Sequence, residues 1–179
     1  MQLTRKALNA RWAWTSATAV GVLVVLNLAD SYLRARTGYG TADLQGISTG
    51  WGLRLVIDRW TSPPDAAIAG FVLGFDYLFM PLYAVALYCG GIIAAERFAP
   101  PPGRAHRIIT FLAAAPIAAA LFDACENGLQ IYMLLRSPTD MLAALAAEAT
   151  AAKFAGIAIG LVMTLAALIG LVWKRKPRR

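Results

Sequence analysis

The sequence predicts an all-α integral membrane protein: an antiparallel four-transmembrane-helix bundle with a long first extracytoplasmic loop carrying a short interfacial helix. Three observations lead there. The 179 residues are 59% hydrophobic and 15% charged, with a mean hydropathy of +0.57, whereas soluble domains carry about 25% charged residues. Four windows, at about 13–33, 67–95, 107–135 and 150–173, reach the roughly 20 apolar residues needed to cross about 30 Å of hydrocarbon. Lys and Arg are also unevenly shared between the connections. Eleven lie at the two ends or between the second and third windows, and five lie in the other two connections. By the positive-inside rule both termini face the cytoplasm, making this a multi-pass inner-membrane protein. The expectation is one membrane domain over 1–179, ending in a cytoplasmic tail at 174–179.

The net charge of +7 is therefore mainly a topology signal. Its basic residues flank apolar spans and form no groove-tracking stripe, so no nucleic-acid partner is expected. Cys89 and Cys125 fall inside apolar windows, where they read as small apolar fillers and not as disulfide partners.

Residues 1–12 are basic and amphipathic, and Trp12 and Trp14 suit a headgroup layer. The apolar run from Val20 to Leu26 has signal-peptide character, but no small-x-small cleavage site follows Asp30, so it reads as a retained first span. Its outer end bears Asn27, Asp30, Ser31 and Arg34 at helical spacing, on one face.

The lid loop, 34–66, exceeds the usual connection of about 4–6 residues. Glycines at 38 and 40 mark a turn, and a short helix is expected to begin near Ala42. Trp51 and Trp60 bracket a segment that reads as a helix lying in the interface plane. Asp65, after Pro63 and Pro64, is the expected N-cap of span two.

Span two carries Asp76 and Tyr83, with Pro81 expected to kink the helix between them and to free a carbonyl near Tyr77. The Pro-rich turn after Ala99 keeps spans two and three adjacent. His106, the single histidine, sits there among arginines and reads as a surface residue.

Span three holds the most informative stretch. Asp123, Glu126, Asn127 and Gln130 are spaced by three, one and three residues, which puts all four on one helical stripe within an apolar run. A slim, alanine-rich half precedes them and permits close helix contact. Thr139 then caps a helix that runs on to Trp173. Lys153 lies about 21 Å along it, a depth similar to that of Asp123. Gly156 and Gly160 share its face as a close-packing pair.

Isolated charges at such depth cost about 2.5–3.5 kcal/mol each on insertion scales, so Lys153 is expected to pair with Asp123 or Glu126. One lysine does not neutralise Asp76, Asp123 and Glu126 together. A retained proton, an arginine of the lid loop (Arg34, Arg54 or Arg59), or a cationic or polar ligand must complete the balance. The plainer alternative is that the cluster only glues helices together, although such hydrogen bonds average about 0.6 kcal/mol.

These readings lead to a polar, carboxylate-rich cavity in the outer half of the bundle. It is expected to bind, and by extension transport or modify, a small polar or amphipathic, lipid-like molecule from or beside the bilayer. Asp76, Asp123, Glu126 and Asp30 would supply acceptors or proton exchange, Lys153 the counter-charge, and Tyr83, Asn127 and Gln130 orienting hydrogen bonds. The alternative is a non-catalytic accessory or assembly subunit of a larger membrane complex, docking a membrane-protein partner through Gly156 and Gly160. Zinc and di-iron ligand spacings, a phosphate loop and a Ser-His-Asp set are all missing from the sequence. Hence no metal, cofactor or reaction is assigned.

Overall fold

The computed structural model describes residues 4–99 and 101–172. Trp173 and the basic tail at 174–179 lie outside the described residues. Among the described residues the chain forms six α-helices, one short 3-10 helix and no strand. The helices are α1 (Arg5–Thr37), α2 (Gly50–Ile57), α3 (Pro63–Phe98), α4 (Arg104–Leu112), α5 (Ala115–Leu135) and α6 (Asp140–Val172), and the 3-10 helix is Thr41–Leu44. Four helical stretches are long and apolar enough to cross a membrane: α1, α3, α4 with α5, and α6.

Helix α1 begins at Arg5, where the Thr4 side chain accepts the Ala7 N–H. The basic segment is thus the first turns of the span itself. A single stripe of α1, Ala19, Val22, Leu26 and Leu33, is buried, while Val20, Val24 and Leu28 remain exposed. Helical periodicity puts those two sets on opposite faces. The helix stops at Gly38, whose φ of 87° is the left-handed cap that glycine adopts without a Cβ penalty.

Helix α3 is the centre of the bundle. It packs on α1, α5 and α6, and 61% of its apolar window is buried, against 17–22% for the others. Its N-cap is Ser62, which accepts the Asp65 N–H, and not Asp65 as the sequence suggests. The reason is that Pro63 and Pro64 already occupy the first helical positions, where a missing N–H costs nothing. Asp65 instead accepts a hydrogen bond from Arg36 Nε at 2.6 Å.

Two prolines within the apolar spans have different effects on their helices. Helix α3 runs unbroken through Pro81, whereas the third span is interrupted at Ala113–Ala114, just before Pro116. Pro116 cannot donate to the preceding turn, so a new helix starts around it.

The lid segment is tied into the core through one face. Leu44, Leu53, Val56 and Trp60 join Leu33, Ala69, Met133, Ala143 and Ala146 in one buried apolar cluster. Of the bracketing tryptophans, Trp51 is exposed while Trp60 is buried and donates its indole N–H to the Tyr39 carbonyl at 3.1 Å. The lid meets α6 where Gly50 N–H donates to Asp140 at 2.8 Å.

Gly156 and Gly160 close the α5–α6 contact. A Cβ on Gly156 would lie 2.8 Å from the Ala115 carbonyl oxygen and 2.9 Å from the Ala119 Cβ. Gly156→Ala is therefore expected to lower the apparent melting temperature in mild detergent, through about 1–3 kcal/mol of overpacking. An unchanged melting curve would mean that α5 and α6 do not approach this closely.

Candidate functional site

Helix periodicity alone puts Asp123, Glu126, Asn127 and Gln130 on one stripe of α5, and that stripe faces inward, with all four buried. Across from it, the position of Lys153 on α6 brings its ammonium between two carboxylates. Its Nζ donates to Asp123 Oδ1 at 3.1 Å and lies 2.5 Å from Glu126 Oε2. The second contact is an ion pair without well-aligned hydrogen-bond geometry.

The remaining oxygens are also occupied. The Tyr83 hydroxyl, from α3, donates to Asp123 Oδ2 at 3.1 Å, and Gln130 Nε2 donates to Glu126 Oε1 at 2.9 Å. Each oxygen of the two acids thus faces one polar partner. A buried carboxylate requires that if it is to stay charged in a low-dielectric interior.

Asp76 belongs to the same region but to a different arrangement. Its Oδ2 accepts from Asn127 Nδ2 at 2.8 Å, and the same amide donates to the Leu73 carbonyl at 3.2 Å. Among the described residues no cation forms an ion pair with Asp76. The arginines of the lid do not fill that role. Arg34 pairs with Asp43 at 2.8 Å, and the ion pairs to Asp123 and Glu126 both come from Lys153.

Asp30 holds the lid to the end of α1. Its Oδ1 accepts from both the backbone N–H and the hydroxyl of Thr41, at 2.5 and 2.7 Å. Gly40 lies directly against this carboxylate, in space a Cβ would have to share.

Between these groups is a cavity of about 300 Å³. Asp30, Asp76, Asp123 and Lys153 line it, while Tyr83, Glu126, Asn127 and Gln130 stand behind and hold the lining groups in place. The lid contributes Thr41, Ala42 and Gln45, and α1 contributes Asn27, none of which was among the expected site residues. Asn27 carried a signal, since it shares the polar face of α1 with Asp30. Thr41 and Gln45 carried none, because a loop has no period from which to read a direction. Among the described residues no group of His, Cys, Asp and Glu is placed to hold a metal ion.

Compared with protein-family models, curated proteins and solved structures, the chain matches none. What the fold and site define is a class: a helical bundle with four helices of membrane-crossing length around a buried lysine–carboxylate cluster.

Proposed function

We propose that the chain is one inner-membrane domain whose four spans run antiparallel. Both termini would face the cytoplasm, and the lid segment with its short helix α2 would cover the outer side. The charge asymmetry of the connections supports this orientation. Within that frame the protein binds a small polar or amphipathic, lipid-like molecule, and any transport or modification would start from that binding. The observation that carries the reading is the cavity of about 300 Å³ with Asp30, Asp76, Asp123 and Lys153 in its wall. Its volume is at the lower end of the range for ligand pockets, about 300–1,000 Å³.

The accessory-subunit reading would need a face other than Gly156 and Gly160. Gly156 and Gly160 are buried against Ala115, Pro116, Ala119 and Leu87 of the same chain.

Asp76→Asn is the most informative substitution, because it removes a charge from the cavity and leaves the Lys153 ion pairs untouched. Protein extracted with its native lipid and analysed by mass spectrometry is expected to retain a small molecule. The variant should retain about tenfold less or lower, in line with a hydrogen bond to a charged group at roughly 1.5–3 kcal/mol. Equal retention by both proteins, or none by either, would sink the proposal.

A further inference from the structure

We infer that the cavity opens sideways between α1 and α6, and that its ligand is a single-chain amphiphile with a cationic, amine-type head entering from the bilayer. The inference rests on the binding function proposed above and specifies it.

The opening follows from how the helices pack. Helix α1 packs on α3, and α6 packs on α3 and α5, but α1 and α6 share no contact of comparable extent. Both nevertheless line the cavity. The margins of that gap are Leu23 on α1 and Phe154 on α6, which line the cavity and are still 41% and 50% exposed. Large apolar side chains exposed at the mouth of a cavity, on helices that cross a membrane, meet hydrocarbon and not water.

The lining is graded. Thr41, Gln45 and Asp30 lie at the lid end, with Asp76 deeper along α3. Counted from the lid ends of their helices, Leu23 is level with Asp76, Asp123 and Lys153 at the helical rise. The polarity therefore changes sideways, from these charged groups on the inner wall to the exposed apolar side chains Leu23 and Phe154 at the mouth. A molecule with a polar head and an alkyl tail matches this gradient. The volume encloses the head and leaves the rest of the chain in the gap.

The charge of the wall selects the sign of the head. Lys153 is engaged by Asp123 and Glu126. Asp76 and Asp30 accept hydrogen bonds from neutral groups, Asn127 and Thr41, and neither is ion-paired among the described residues. A cationic head restores balance in a site where unpaired charge is costly. An anionic head adds to the imbalance.

The test uses the full chain in nanodiscs of native lipid and three probes: a photoreactive dodecylamine, the matching dodecanoic acid, and methylammonium as a short soluble competitor. The amine is expected to label α1 and α6 peptides at least about tenfold more than the acid, and to lose that labelling in Asp76→Asn. Leu23→Trp, which fills the mouth, is expected to slow amine labelling about tenfold. A melting curve like that of the parent shows that this variant keeps its fold. Equal labelling by the acid overturns the cationic head, and unaltered amine labelling in Leu23→Trp overturns the sideways entry. In both cases cavity binding stands. If no probe, long or short, shows a dependence on Asp76, both the inference and the binding function fall.

Discussion

Lys153→Met is expected to be the most damaging single substitution in the chain. The ammonium contacts Asp123 Oδ1 at 3.1 Å and Glu126 Oε2 at 2.5 Å, in a site where all three side chains are at most 5% exposed. Methionine occupies similar volume but leaves two adjacent carboxylates without a counter-charge. Breaking a buried pair from one side typically costs about 3–5 kcal/mol. The measurable result is a loss of monodisperse protein in mild detergent and a clearly lower apparent melting temperature. A change that neutralises all three positions, Lys153→Met with Asp123→Asn and Glu126→Gln, should recover most of the loss. Tyr83 and Gln130 can still hydrogen-bond to the new amides, and replacing a whole buried ion cluster is often neutral. If Lys153→Met alone is as stable as the parent, the acids are not charged and the lysine is not their counter-ion.

Asp30→Ala is expected to have the second largest effect, this time on the lid. The substitution removes the acceptor for the Thr41 N–H and hydroxyl, two bonds to a charged group worth roughly 1.5–3 kcal/mol each. The lid keeps its other ties, the Trp60 indole on Tyr39, Gly50 on Asp140 and the apolar cluster around Leu53. Local opening, not global unfolding, is therefore the expected outcome. Hydrogen exchange over residues 38–46 should speed up by about tenfold or more, with little change in the interior of α3. Gly40 supplies an internal check. A Cβ at Gly40 would overlap the Asp30 carboxylate, so Gly40→Ala should loosen the lid in the parent and do much less harm in Asp30→Ala. Additive effects of the two changes would mean that the residues are not in contact.

Both predictions show which parts of the site could be read in advance. The stripe of Asp123, Glu126, Asn127 and Gln130 was legible because four polar residues at spacings of three and four can share only one helical face. The match between Lys153 and that stripe came from counting residues from the ends of two spans, since each residue advances a helix by about 1.5 Å. Capping was less legible. Ser62 and Asp65 are both good caps by composition, and the two prolines between them decided in favour of Ser62. The break in the third span was not legible for a related reason. Pro81 and Pro116 look alike in an apolar run, but α3 continues through Pro81, while the chain turns at Ala113–Ala114 ahead of Pro116. There Ala113 is pressed against Gly91 of α3, at a spacing with no room for a further Cβ.

By itself, then, the sequence determined the number of apolar helices and, for the polar groups on them, the position along the helix and the face occupied, because helical rise and period are the same in any surroundings. Only the tertiary structure decided that Lys153 serves Asp123 and Glu126 together while Asp76 is left to Asn127. It also decided that Asp30 closes on Thr41, and that α1 and α6 leave a gap beside the cavity. Those outcomes depend on how each helix is rotated and which neighbour it packs against, and no period along a single helix encodes either.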